Sequence, residues 1–241
     1  MQGNDSFFRR KLQHGTKLAD RDTTLIHLCR EKAVVHVGCV DHPLAEEKLS
    51  SGDHLHVKLM EASSRIIGVD IDEMGIKTLR EKVGGEYLNM DLSEIVAVQT
   101  PDPSEVFGFS PDVYIVGDVV EHLRDAVALL SGIASLERGS KATIIVTTPN
   151  SLAARNTINT ALGYELMHPD HLLIHSPTTL KLTVEQAGLT VNSWGYYTVS
   201  TGSDALHRIY DVPCRIASRI RPAWGDGILI SCTSLATPTP G

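Results

Sequence analysis

Short runs of aliphatic and β-branched residues alternate along this chain with stretches whose apolar positions recur every three or four residues. The first run, Ala33-Val34-Val35-His36-Val37-Gly38, is closed by glycine and predicts a strand buried on both faces. Arg65-Ile66-Ile67-Gly68-Val69-Asp70-Ile71 predicts a second strand, and 86–92, with Tyr87, Leu88 and Met90, a third. Asp112-Val113-Tyr114-Ile115-Val116-Gly117 predicts a fourth; 141–148, where Ala142, Ile144 and Val146 alternate with Thr143, Ile145 and Thr147, predicts a fifth. Helical spacing lies between them: 53–63 with Leu55, Leu59 and Ala62 on one face, 74–82 ended by Gly84-Gly85, and 119–136 with Val120, Leu123, Val127, Leu130 and Ile133. Residues 93–111 hold three prolines and read as loop. Beyond Pro149-Asn150 the pattern changes. Residues 151–162 predict a short lid helix, 177–187 a helix stopped by Gly188, and 189–198 and 227–235 two last strands. A basic segment with Arg208, Arg215, Arg219 and Arg221 separates those strands and reads as a solvated helix face, with a grip on an anionic substrate as the alternative.

This repetition predicts an α/β fold, a mostly parallel sheet with helices on both faces. No repeat or linker divides it, so 1–241 reads as a single domain. Composition narrows the function. With 42% hydrophobic and 21% charged residues the chain has the material for a core, which excludes disorder. The 22 Lys+Arg against 29 Asp+Glu give a net charge of −7, which disfavours RNA and other polyanions as partners. No apolar run approaches the roughly 18–20 residues that span a bilayer, and the N-terminus lacks the apolar core of a signal peptide. Cys29, Cys39, Cys214 and Cys232 form no C-x-x-C pair. Together these features predict a cytoplasmic protein with reduced thiols and no membrane partner.

Ligands of an open parallel sheet bind at the carboxyl ends of its strands. Those ends carry Gly38-Cys39-Val40-Asp41-His42, Asp70, Asp91, Gly117-Asp118-Val119-Val120-Glu121-His122 and Thr147-Thr148-Pro149-Asn150. An acid ending the second strand can accept hydrogen bonds from both hydroxyls of a ribose, which suits an adenosine cofactor. The G-x-G-x-x-G of dinucleotide sites is absent after strand one, and nothing resembles a P-loop. A nucleoside site therefore stands better than a pyrophosphate cradle.

Taken in order, Val34-Val35-His36-Val37-Gly38-Cys39, Ile67-Gly68-Val69-Asp70-Ile71-Asp72, Asn89-Met90-Asp91-Leu92, Asp118-Val119-Val120-Glu121-His122-Leu123 and Thr147-Thr148-Pro149-Asn150 resemble the class I S-adenosylmethionine-dependent methyltransferases over roughly residues 30 to 195. The resemblance implies a Rossmann-like seven-stranded sheet whose last two strands form an antiparallel hairpin. It implies S-adenosylmethionine as cofactor, with Gly38 and Cys39 at its methionine part, Asp70 on the ribose hydroxyls, and Ile71 against the adenine. Asp91 would accept from the adenine amino group, with Leu92 beside it and Gly117 and Asp118 at the end of strand four. The sequence departs from the family at His36, where an acid is usual, and at Val40 and His42, where glycines are usual. Thirty-two positions separate Gly38 from Asp70, a long stretch for this family. His42 is read as a contact of the methionyl carboxylate, as a residue facing substrate, or as an exposed loop histidine.

Eleven histidines are many for this length, and His168, His171 and His175 cluster in one segment. Asp118, Glu121, His122 and His171 match the E-x-x-E-H and D-H positions of two metal-using branches of the family, with Asp118 in place of glutamate. These are the ubiquinone-biosynthesis O-methyltransferases and the RNA 3′-end 2′-O-methyltransferases. The resemblance implies a Mg²⁺ or Mn²⁺ site at these four residues. The alternatives are His171 or His122 as a metal-free catalytic base, and purely structural roles. The expected function is methyl transfer to a small molecule, at a hydroxyl of a sugar or natural product. N-methylation and a non-catalytic binding module are the alternatives, and a homodimer is an open reading. Residues 1–30 are expected to cover the site, and 151–175 and 200–225 to lie on its substrate side.

Overall fold

The computed structural model describes residues 15–18, 20–95, 102–199 and 205–235, and of 205–210 the backbone alone. Residues 1–14 of the expected cover, 96–101 of the expected loop, 200–204 of the substrate-side segment and the Arg208 side chain lie outside the described residues.

The strands are β1 (Thr16–Lys17), β2 (Ala33–Val37), β3 (Arg65–Asp70), β4 (Glu86–Asn89), β5 (Val113–Gly117), β6 (Thr143–Pro149), β7 (Leu189–Tyr197) and β8 (Gly227–Ser234). They form one sheet in the order β1-β7-β8-β6-β5-β2-β3-β4. All neighbours are parallel except β8, which runs antiparallel to both β6 and β7. The seven expected strands and the terminal hairpin are all present. The eighth strand, β1, adds only Thr16 and Lys17 beside Gly195 and Tyr196.

The helices are α1 (Arg21–Cys29), α2 (Ala45–Ser51), α3 (Leu55–Ala62), α4 (Glu73–Lys82), α5 (Pro103–Phe107), α6 (Ala126–Leu136), α7 (Ala154–Ala161), α8 (Pro177–Gln186) and α9 (Ala205–Ile220). They cover both faces of the sheet, following the two-residue period of the strands. Val35, Tyr114, Val116, Ile144, Val146 and Ile230 pack on one side with Leu130 and Ile133 of α6 and Leu180 and Val184 of α8. Val34, Val113, Ile115, Ile145 and Leu229 pack on the other with Leu25 of α1 and Leu55 and Leu59 of α3.

Three departures from the expected elements bear on the site. The stretch from Gly38 to Asp70 holds α2 as well as α3, and α2 buries no residue, so apolar spacing does not announce it. Short α5 occupies part of the expected loop, started by Asp102 and Pro103. The helix expected from 119 begins only at Ala126. Asp125 caps it by accepting from the Ala128 N–H at 2.9 Å, and the preceding residues form a separate 3-10 turn, Val120–His122. Glu121 and His122 thus sit in the strand-to-helix connection. No described helix is long and apolar enough to cross a membrane.

Candidate functional site at the carboxyl edge of the sheet

Two cavities open at the carboxyl ends of β2, β3 and β5, and share Gly38, Asp70, Ile71, Val119 and Leu123. The smaller, about 220 Å³, is lined by Met90, Asp91, Leu92 and Ser93 on its far side. The larger, about 370 Å³, is walled by Cys39, His42, Gly117, Asp118, His122 and His171. All nine residues expected at the cofactor line one or the other of these two adjoining cavities. A broader depression of about 900 Å³ lies at the opposite end of the strands, around Lys32, Asp112 and Lys141. It contains none of the expected site residues.

Gly38 follows β2 with φ of 73°, and a Cβ there would stand 2.4 Å from Val119 Cγ2. Only glycine fits both the left-handed backbone and that close approach. Asp70 ends β3 and ties two loops: it accepts from the Val40 N–H at 2.9 Å and from the Asp72 N–H at 3.0 Å. Ile71, next to it, is 69% exposed at the cavity mouth. Asp91 accepts from the Ser93 N–H at 2.8 Å and starts the turn Leu92–Glu94. That turn is held close to α6, because Gly132 leaves room for the Leu92 carbonyl. Val40, one of the lost glycines, is buried with Cys39, Ile76, Leu79 and Tyr87.

Asp118 adopts a left-handed backbone, φ 53°, which costs an L-residue about 1–2 kcal/mol. Its carboxylate is ion-paired with Arg21 at the start of α1. It also accepts from Thr147 Oγ1 at 2.9 Å and from the Tyr197 hydroxyl at 3.3 Å. Arg21 was not foreseen from sequence. Its signal was a cation in the first turn of a helix, where the dipole disfavours positive charge.

Glu121 is fully buried. Thr148 Oγ1 donates to its Oε2 at 3.0 Å, while Oε1 has no hydrogen-bond partner. Burial, reinforced by Asp118, pushes this carboxyl up to about 8. His122 Nδ1 lies 3.1 Å from the Asp170 carbonyl. A carbonyl only accepts, so Nδ1 is the donor in this bond. His171 is half-buried and its ring lies edge-on to His122, centroids 4.7 Å apart. Burial and the neighbouring His122 and His168 lower its pKa, so the ring is neutral near pH 7. The strap carrying His168 and His171 is pinned by the Leu172 and Leu173 N–H groups, which donate to the Glu121 carbonyl at 2.9 and 3.2 Å. Glu121, His122 and His171 each offer a ligand atom within 4.8 Å of the others. Asp118, the fourth residue expected there, is not in that group and stays with Arg21.

The Thr147-Thr148-Pro149-Asn150 end of β6 organises these loops. Thr147 holds Asp118 and Thr148 holds Glu121. Buried Asn150 donates to the Ala223 and Gly225 carbonyls at 2.9 and 2.8 Å. On the other side of the larger cavity stand three buried histidines, His36, His54 and His56. His36 and His56 stack with Nδ1 atoms 3.1 Å apart. Sequence reading marked His36 as a departure and missed the other two.

Solved structures share this architecture. The small RNA methyltransferase HEN1 superposes with a TM-score of 0.55 at 16% identity, over 95% of this chain and 27% of that one. The magnesium protoporphyrin IX methyltransferase of Synechocystis PCC 6803, solved with bound SAH, gives 0.52 at 14% identity, over 89% and 82%. The YcgJ protein of Bacillus subtilis gives 0.51 at 12% identity, over 89% and 98%. This is the class I S-adenosylmethionine-dependent methyltransferase fold. No family model matches the sequence, and no curated protein matches it. The class I fold is thus carried here by a sequence far from these solved examples, with a histidine at position 36 and side chains at 40 and 42.

Proposed function

We propose that this protein transfers a methyl group from S-adenosylmethionine to a hydroxyl of a small molecule, with a divalent cation held by Glu121, His122 and His171. One observation carries the reading. His122 and His171, which line the larger cavity at the carboxyl ends of the strands, converge with the buried Glu121 carboxyl, one of whose oxygens has no hydrogen-bond partner. The donor set, one carboxyl and two imidazoles, fits Mn²⁺ better than Mg²⁺, which prefers oxygen alone.

Bound there, S-adenosylmethionine would supply an electrophilic methyl, and the cation would acidify the hydroxyl that receives it. The remaining work falls to the chain. Ile71 and Leu92 offer apolar surface to the adenine, and Asp91 an acceptor for its amino group. Asp70 retains lone pairs for the ribose after accepting from Val40 and Asp72. The backbone at Gly38, Cys39 and Gly117 borders the methionine end, and His42 stands at its mouth. Arg21 and Asp118 present one charge of each sign to an amino-acid moiety that carries both. The acidic net charge speaks against the small RNA on which HEN1, by its name, acts.

A second reading has its own support. The His171 ring, neutral and half-buried, is also suited to take the hydroxyl proton without a metal. Two titrations test the proposal. S-adenosylhomocysteine added to the protein in a calorimeter is expected to bind with micromolar affinity, and no detectable heat or displacement would reject the methyltransferase reading. Mn²⁺ is expected to bind once per chain and to lose that binding in His171→Ala. Absence of Mn²⁺ binding in the wild type, with turnover unaffected by EDTA, would replace the metal reading by the base reading.

A further inference from the structure

A third cavity, about 410 Å³, lies behind the strap that carries His168 and His171. These two histidines line both this cavity and the larger cofactor-side one, so they form the partition between the two. The rest of its wall is mostly apolar: Pro149, Ala153, Leu166, Met167, Pro169 and Ile174. Its other polar residues are committed elsewhere. The Asn150 amide donates to two backbone carbonyls, and its Oδ1 accepts from the Leu152 N–H at 3.1 Å. Asn156 Nδ2 donates to the Asn150 and Ser151 carbonyls. Arg155 bridges Asp226 and Asp211 at 3.1 and 3.0 Å, and Asp226 accepts from the Val199 N–H at 2.8 Å. The rim is apolar as well, and open to solvent: Leu166 and Met167 are 46% and 44% exposed, with Tyr164, Leu172 and Leu173 also exposed on the same segment. Contiguous exposed apolar side chains beside a cavity mark a binding surface.

We infer that this cavity is the acceptor site, and that the acceptor is an apolar alcohol or phenol rather than a sugar. The inference rests on the methyltransferase reading for the reaction, but the cavity's chemistry stands apart from it. A sugar ring carries hydroxyls around its whole circumference, and each needs a partner when taken out of water. Six of the residues of this wall, Pro149, Ala153, Leu166, Met167, Pro169 and Ile174, offer no such partner from their side chains. An aromatic or branched apolar body packs against them, and its single hydroxyl, or a pair of adjacent ones, is directed at the partition. There it faces His168 and His171, the two side chains that also line the cofactor-side cavity. The cavity volume lies within the range of small-molecule pockets.

2-Naphthol serves as the apolar probe and methyl α-glucopyranoside as the polar one, each titrated with and without saturating S-adenosylhomocysteine. Naphthol fluorescence is expected to report binding at least tenfold tighter than the glucoside gives in calorimetry. The double variant Leu166→Asp/Met167→Asp changes two exposed positions, so it folds. It is expected to weaken naphthol at least tenfold and to leave S-adenosylhomocysteine binding unchanged. Glucoside binding equal to or tighter than naphthol, or naphthol binding indifferent to the double variant, would overturn the acceptor assignment. Loss of S-adenosylhomocysteine binding alone would instead remove the methyltransferase reading and leave the apolar site standing.

Discussion

Two groups of three histidines face the same cavity and are made for different work. His36, His54 and His56 are buried in its wall. The first and last share one hydrogen bond between their Nδ1 atoms and stack with each other, and Tyr87 lies 5.1 Å from the His56 ring. Burial holds His36 well below its ordinary pKa and His56 at about 3. His122, His168 and His171 sit at the mouth, with ring centroids 4.7 to 6.4 Å apart. They have a buried carboxylate beneath them and one tautomer set by the Asp170 carbonyl. The same side chain becomes wall or, in the proposed function, ligand according to what surrounds it. A fully buried setting makes a packed ring, whereas a place at the cavity mouth beside a buried carboxyl makes a candidate donor set.

The largest effect that can break this comparison is on metal affinity. Glu121→Gln is expected to weaken Mn²⁺ binding about a hundredfold or more by calorimetry, and His54→Gln to leave it within about twofold. Equal losses in both variants would erase the distinction. Stability should divide the other way. His56→Ala opens a void beside His36 and Tyr87 and is expected to cost about 2–4 kcal/mol in urea unfolding. His168→Ala, at the exposed mouth, should cost within about 0.5 kcal/mol.

Acid sharpens the contrast further. In the unfolded chain His36 and His56 take up protons as pH falls through about 6.5, while the folded protein refuses them, His56 down to about 3. The unfolded state therefore gains protons first, and stability that is full above pH 6.5 declines as pH falls below it. The urea midpoint should drop steadily from pH 6.5 to 4, and less steeply in His56→Gln. An unchanged slope in that variant would place the acid sensitivity elsewhere. The smallest effect is expected at the partner of Asp118. Arg21→Gln should weaken S-adenosylhomocysteine severalfold while leaving Mn²⁺ affinity within about threefold; a larger loss of the metal would tie Asp118 to the cation after all.

The strands from β2 to β8 were legible because each is a short β-branched or alternating run closed by glycine, proline or a polar turn. The 3-10 turn at Val120–His122 was not. Val120, Leu123, Val127 and Leu130 keep helical spacing across the break, and only the Asp125 cap marks where the helix begins. The single-file apolar signal also missed α2, which has no fully buried residue and packs through half-buried Ala45 and Leu49. In the site, Glu121, His122 and His171 could be named from a motif and a downstream D-H pair. Arg21 and His56 could not, since they reach the cavity from α1 and α3, elements on which no motif falls. Nor does spacing in sequence tell that Asp118 is turned toward Arg21, because that depends on a left-handed residue and a partner ninety-seven positions away.

That ion pair sets a limit on how the chain can be shortened. A version begun just past Arg21 would retain every strand from β2 onward and every motif residue. It would also leave the Asp118 carboxylate without its cation, a short distance from the buried Glu121. Two neighbouring acids would then compete for one proton. A trimmed protein of this kind would keep its fold and report a different site, so its ligand and metal affinities would describe the truncation instead of the molecule.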